Sequence, residues 1–213
     1  MINILLDVIN YILVAILIGV SATWIALIKS MLRTFNESPF LDKFEKKEHK
    51  KPKVSIILPA RNEEKFIEKC LNSLLNQDYD NYEIIAINDS SKDSTGNIIK
   101  KYSKKFPKVI SVDAKPKPDG WIGKNWACIE GYKKASGDLL LFTDADTTHT
   151  GSVISLAVSH LLSLELDALT VIPRMLCLDK ITKITLPMIS TFLHTRFSAL
   201  RVNDTSKKTG YFF

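Results

Sequence analysis

The first apolar stretch of this chain is unlike all the others. From Val8 to Ile28 nearly every position is apolar and none is charged. A helix rising 1.5 Å per residue crosses the roughly 30 Å hydrocarbon layer in about 20 residues. Residues 4–30 are therefore expected to be a transmembrane helix, with Tyr11 and Trp24 toward its ends, where interfacial aromatics gather. A cleaved leader fits less well. The apolar run is too long, Asp7 precedes it without any Lys or Arg, and no A-x-A site follows it. Beyond Lys53 the pattern changes to short apolar runs alternating with stretches of helical spacing. Strands are predicted at Val54–Pro59, where proline stops the run, and at Tyr82–Ile87, Val109–Val112, Asp138–Thr143 and Leu169–Ile172. Helices are predicted at Glu63–Asn76, Ser94–Lys105, Lys124–Ala135 and Ser152–Leu164, with Gly137 closing the third. Phe66, Ile67, Cys70, Leu71, Leu74 and Leu75 make one stripe of the first of these helices. Ile181–Leu200 mixes apolar and basic residues. It reads either as an amphipathic helix lying on a membrane or as a helix packed on the sheet, and the packed reading is preferred.

Strict alternation of apolar strands with helices predicts an α/β fold, a mostly parallel sheet with helices on both faces. Ligands of such sheets bind at the carboxyl ends of the strands. The expected organisation is a transmembrane helix (4–30), a basic linker (31–52) and a sheet domain (53–213).

Charge fixes the expected orientation. Between Lys29 and Lys53, eight basic residues face four acidic ones, so this segment carries most of the chain's formal +6. By the positive-inside rule the sheet domain faces the cytoplasm, on a single-pass protein of the cell membrane. Nucleic acid is not expected as a partner, because the positive charge sits beside the membrane helix and no nucleic-acid motif accompanies it. Cys70, Cys128 and Cys177 are far apart and have no zinc-type spacing, as befits reduced cysteines.

The chemistry-bearing residues follow the predicted strands. Leu139-Leu-Leu-Phe-Thr-Asp144-Ala-Asp146 ends a buried strand in two carboxylates. They either cap the next segment or meet a hard cation, since Mg²⁺ takes one or two protein carboxylates and completes its shell with phosphates. Pro59-Ala60-Arg-Asn62-Glu63-Glu64 follows the first strand, with Asn62 placed to cap a helix. After the second strand, Asn88-Asp89-Ser-Ser91-Lys-Asp93 offers capping residues, but capping leaves Asp89 unexplained. Such a carboxylate can accept a hydrogen bond from a nucleobase. Gly123 permits close approach or positive φ. Lys124 at a helix start opposes the dipole unless an anion is present. Trp121 suits either a ligand ring or a loop anchor.

Taken in order, strand-Pro-x-x-Asn-Glu, strand-Asn-Asp-x-Ser-x-Asp-x-Thr, Gly-Lys-x-x-Ala and strand-Asp-x-Asp resemble glycosyltransferase family 2, which has the GT-A fold. The resemblance covers about Lys53 to Ile172. The Gly-Trp-x-Gly-Lys-x-Trp-Ala form is similar to a membrane-associated, lipid-directed branch that includes hopanoid and carotenoid glycosyltransferases. The resemblance implies that Ala60, Asn62, Glu63, Asp89, Lys124 and Asp144 bind the nucleotide-sugar donor. It also implies that Asp146 holds Mg²⁺ or Mn²⁺ against the diphosphate. The donor implied is a UDP-sugar ahead of a GDP-sugar, the acceptor a lipid or membrane-associated molecule, and the outcome inversion.

The sequence departs from the family pattern downstream. The base that deprotonates the acceptor usually follows a Gly-x-Phe-like stretch, and the chain stops at Thr209-Gly-Tyr-Phe-Phe213. A truncated acceptor half is expected, and no residue is assigned as base. A catalytically incomplete nucleotide-sugar-binding protein that needs a partner is the alternative. A sugar-nucleotide pyrophosphorylase would need a Gly-x-Gly-x-Arg-like loop where Pro59-Ala-Arg-Asn stands.

Overall fold

The computed structural model describes residues 2–37, 41–43, 46, 51–176 and 179–196. They fall into two compact units, one from the described residues of 2–37 and 174–196, the other spanning 41–173.

In the first unit, α1 (Ile2–Glu37) is one continuous helix. Its segment Ile4–Arg33 is long and apolar enough to cross a membrane, by length and composition, and none of it is buried. Helix α6 (Lys180–Arg196) carries Pro187 inside it. Its apolar side chains Ile181, Ile184, Met188 and Ile189 are exposed. Cys177 and residues 197–200, the end of the predicted last helix, lie outside the described residues.

The second unit holds the sheet. Strands β1 (Val54–Ala60), β2 (Tyr82–Asn88), β3 (Val109–Asp113) and β4 (Leu139–Phe142) lie in the order β3-β2-β1-β4. Every pairing is parallel. Parallel neighbours need crossovers, and the helices supply them. Helices α2 (Ile67–Leu75), α3 (Thr95–Lys105) and α5 (Val153–Ser163) cover one face. There Ile67, Leu71, Ile99 and Ile154 bury against Ile56, Leu58 and Ile84. Helix α4 (Gly123–Tyr132) covers the other face, with Ala127 against Ile57, Ile85 and Ile87. Both central strands are therefore apolar on both sides, which is why they read as near-continuous hydrophobic runs.

Two predicted elements differ. Pro59 does not end β1, which continues to Ala60. The Lys53 and Ile57 carbonyls accept hydrogen bonds from Leu139 and Thr143, so odd-numbered residues of β1 face β4. Pro59 falls on that side beyond the last paired residue, where no strand needs its missing N–H. Leu169–Ile172 is not a strand. Ile172 is 85% exposed, and a β-prone sequence becomes a strand only beside a partner edge.

At the amino ends of the strands a polar knot ties β4 to the centre of the sheet. Glu83 is buried and accepts from the Ser55 hydroxyl (2.6 Å), the Lys53 ammonium (2.7 Å) and the Ser136 amide (2.8 Å). Gly137 passes so close that a Cβ there would stand 2.7 Å from both the Lys53 carbonyl oxygen and the Ser55 amide nitrogen. That contact, not helix termination, explains this glycine, because α4 ends earlier, at Tyr132.

Burial alone pushes the Glu83 carboxyl upward. The hydrogen bonds from Lys53, Ser55 and Ser136 together outweigh burial and hold it at about 2. A carboxyl held below its ordinary 4.5 stabilises the fold fully above that value and loses the contribution as pH falls toward 2. The contribution is on the order of 3 kcal/mol. Denaturant unfolding of Glu83→Gln should show lower stability at pH 7 and a flatter loss of stability below pH 4.5 than the parent.

Candidate functional site

Strands β1 and β2 end level, with Ala60 opposite Asn88, so their two following loops leave the sheet side by side. Hydrogen bonds stitch those loops together. The Asp89 amide donates to the Ala60 carbonyl (2.9 Å), and the Asn62 amide to the Ser91 hydroxyl oxygen (3.1 Å). The Lys92 amide donates to the Asn62 side-chain oxygen (2.9 Å), and the Glu63 amide to Thr95 Oγ1 (2.8 Å). Asp93 accepts from the Glu64 and Thr95 amides (3.1 and 3.0 Å), while the Ser94 amide donates to the Glu64 carboxylate (3.0 Å).

These bonds correct the expected capping. Asn62 is not a helix cap. It sits in the left-handed region at φ 56°, which Asn tolerates better than most residues. Helix α2 begins later, at Ile67, after a turn in which the Glu63 carbonyl accepts from the Phe66 and Ile67 amides. Ser91 braces the neighbouring loop instead of capping α3.

The Asp89 side chain is only 14% exposed and lies 3.8 Å from the Arg61 guanidinium. A Cβ on Gly123 would touch both, at 3.8 Å from Asp89 Oδ2 and 4.0 Å from Arg61 Nη1. Gly123 thus brings the start of α4 against this pair at ordinary contact distance. The left-handed glycine of the loop is Gly120, at φ 82°. The loop is pinned by the Trp126 indole N–H, which donates to the Lys115 carbonyl (2.8 Å). Trp121 meets Trp126 edge-on at 5.3 Å between ring centroids. Trp121 and Ile122, which immediately precede Gly123, remain 41% and 71% exposed.

Across the edge, Lys124 finds its anion within the chain, pairing with Asp144 at 2.5 Å. Asp146 is exposed and has no hydrogen-bond or ion-pair partner among the described residues. Glu63 is half-buried nearby. Burial pushes its carboxyl up, and the negative charges of Asp146, Asp93 and Asp144 push it further. Acidic charge therefore accumulates around one opening, and a cation placed there would relieve it. Among the described residues no group of three or more His, Cys, Asp or Glu side chains is arranged to enclose a metal. The site therefore fits Mg²⁺ or Mn²⁺ only as an open site, where a carboxylate supplies part of the shell and a bound phosphate group the rest.

All seven expected residues, Ala60, Asn62, Glu63, Asp89, Lys124, Asp144 and Asp146, lie at the end of β1, in the carboxyl-end loops or at the start of α4. Sequence reading missed Arg61 and the polar cluster that follows Asp146. His149 Nε2 lies 3.0 Å from Thr143 Oγ1 and 3.2 Å from Thr147 Oγ1. Thr-Thr-His-Thr reads as ordinary loop, and only the folded turn brings these groups together. A separate concavity, lined by Tyr132, Lys133, Ala135, Gly137, Asp138 and Leu140, sits near the start of β4, away from the strand ends that carry this chemistry.

Residues 55–209 match the model of glycosyl transferase family 2. The chain belongs to that family.

A 93-residue stretch, 44% of the chain, is 40% identical to the 4,4'-diaponeurosporenoate glycosyltransferase of Staphylococcus haemolyticus and spans 24% of that relative. A 97-residue stretch is 36% identical to the poly(ribitol-phosphate) beta-glucosyltransferase of Bacillus spizizenii, covering 44% of this chain and 15% of that one. The chain thus matches about a quarter or less of the length of these relatives. The mannosyltransferase PcManGT of Pyrobaculum calidifontis, solved with GDP-Man and Mn²⁺, superposes with a TM-score of 0.53 at 22% identity, over 68% of this chain and 42% of that one. That likeness is one of fold, the GT-A arrangement of a parallel sheet between helices.

The Lys124–Asp144 pair is 60% and 55% exposed on its two sides, so water screens it. Exposed pairs contribute about 0–1 kcal/mol. Lys124→Ala should therefore shift the unfolding midpoint of the sheet unit little, as followed by chemical denaturation. A loss of several kcal/mol would show that the pair is structural.

Proposed function

We propose that this chain binds a nucleoside-diphosphate sugar, a UDP-sugar in preference to a GDP-sugar, at the carboxyl edge of β1, β2 and β4. It passes the sugar to a lipid or membrane-associated acceptor with inversion. The observation that carries this reading is the convergence, on one edge, of a half-buried Asp89 and a carboxylate cluster that includes Asp146, which has no partner among the described residues.

In this reading Asp89 accepts from an N–H of the base, and Arg61 helps to aim its carboxylate. Ala60, Asn62 and Glu63 form the wall of the base and ribose pocket through a backbone that the stitched loops hold rigid. Asp144 contacts the ribose or the sugar. Lys124 leaves its weak pair with Asp144 to meet the donor phosphates. This exchange loses little, because both partners are well solvated. Asp146 holds Mg²⁺ or Mn²⁺, with Asp144 and Glu63 adding negative charge around it. When bound, the metal neutralises charge growing on the leaving diphosphate.

Three observations favour a membrane acceptor: the spanning-length α1, the apolar Trp121–Ile122 rim beside the donor residues, and the carotenoid-acid name of one relative. The basic flank after α1 favours a single-pass protein whose sheet unit faces the cytoplasm.

Asp146→Ala should lose Mn²⁺-dependent donor binding while keeping its fold. Normal Mn²⁺-dependent binding by this variant would remove the metal assignment. Asp89→Ala should weaken UDP binding about tenfold or more with and without metal, the size of a lost charge-assisted hydrogen bond. Unchanged affinity would remove the base contact. Calorimetry on the detergent-solubilised chain reads both variants.

A further inference from the structure

We propose that His149 is a positioning residue, whose imidazole locks the Asp144–Thr147 turn into the shape that presents the Asp144 and Asp146 carboxylates to the donor. The proposal rests on the donor-site reading above.

The Thr147 hydroxyl lies 2.6 Å from the Asp144 carbonyl oxygen and donates its single proton there. It can then only accept from its other neighbours. For its 3.2 Å contact with His149 Nε2 to be a hydrogen bond, the ring must donate. The neutral imidazole therefore carries its proton on Nε2. Thr143 Oγ1, 3.0 Å from both Nε2 and Thr147 Oγ1, completes the triangle, its own proton going to Thr147 and the ring N–H shared between the two hydroxyls. Thr143 is anchored to the sheet, since its amide donates to the Ile57 carbonyl (3.2 Å). One ring nitrogen thus ties the end of β4 to the far side of the acidic turn.

The other side of the histidine is also fixed. Its backbone amide donates to Ser73 Oγ (3.1 Å), and that hydroxyl donates to the Cys70 carbonyl (2.7 Å). Both residues belong to α2, and the Cys70 thiol lies 3.7 Å from the Asp144 carbonyl oxygen. Burial pushes the His149 imidazole pKa down, so the ring stays neutral near pH 7. The turn is thereby clamped between β4 and α2. Only Ala145 of the Asp-Ala-Asp triplet is buried, and it acts as the pivot that leaves both carboxylates outward. Ala, Phe or Leu at position 149 would keep the backbone bond to Ser73 and leave the Thr143 and Thr147 hydroxyls bonded to each other, but would remove the ring N–H that ties both hydroxyls to this α2-anchored residue.

The test compares the full chain with His149→Ala, His149→Gln and His149→Asn in detergent. Calorimetry follows UDP binding with and without Mn²⁺, and hydrogen exchange follows the amides of residues 145–147 in metal-free protein. Gln reaches the hydroxyls with an amide N–H from about the Nε2 position, and Asn is too short. The alanine and asparagine variants should lose tenfold or more in UDP affinity with Mn²⁺ and stay within about twofold without it. Their turn amides should exchange faster, while those of β1 and β2 stay protected. Glutamine should restore most of the affinity and the protection. Equal losses with and without Mn²⁺, equal behaviour of glutamine and asparagine, or unchanged turn exchange in alanine would each overturn the positioning role. Should the alanine variant not fold, the glutamine–asparagine contrast still decides. If the parent chain itself shows no Mn²⁺-dependent UDP binding, the donor-site reading fails and the proposal with it. Unaffected binding by His149→Ala, beside a parent that binds, overturns the proposal alone.

Discussion

The parallel register of β1 on β2 governs what happens at the site. Because the strands run the same way, their loops emerge at the same end, and because Ala60 lies opposite Asn88 they emerge level. Two loops that are far apart in sequence can then share hydrogen bonds from backbone amides to side chains, and they do so around Asn62, Ser91, Asp93 and Thr95. Strand β4 is shorter and stops with Phe142 beside Ile57, so the following residues, Asp144 and Asp146, drop alongside the same edge. A one-residue slip in either register would send every side chain of that strand to the opposite face. The buried isoleucines on both faces of the central strands prevent it.

Burial and charge are separated along the strands. The amino ends carry a satisfied polar knot around Glu83, whose carboxyl is fully committed to Lys53, Ser55 and Ser136. The carboxyl ends carry carboxylates with few or exchangeable partners. The first arrangement stabilises the fold. The second leaves negative charge in place for a ligand to neutralise, and the pressure shows in Glu63, whose carboxyl is driven up by burial and by Asp146, Asp93 and Asp144.

The strands and helices of the sheet unit were legible because hydrophobic periodicity reports burial directly. So were the family and the position of the seven candidate residues, since motifs that follow parallel strands can emerge only at one edge. Local details were less legible because they depend on a partner absent from the local sequence. Pro59 is tolerated because β4 has already ended. Asn62 turns left-handed because the neighbouring loop receives its side chain. Lys124 meets Asp144, an anion twenty residues away, so its helix-start position needed no external ligand. Gly137 is explained by the backbone of Lys53 and Ser55. His149 was missed because its partners, Thr143, Thr147 and Ser73, include one on a distant helix.

We propose that the carboxyl edge of this sheet holds a nucleoside diphosphate with the help of a divalent cation. The most direct measurement is calorimetric titration of the detergent-solubilised chain with UDP, UDP-glucose, GDP-mannose and UMP, with and without Mn²⁺. UDP and UDP-glucose should bind more tightly with Mn²⁺, GDP-mannose should bind more weakly, and UMP should gain little from the metal because it lacks the second phosphate. No binding to any of the four by a folded protein, or equal binding of UMP and UDP in Mn²⁺, would contradict it.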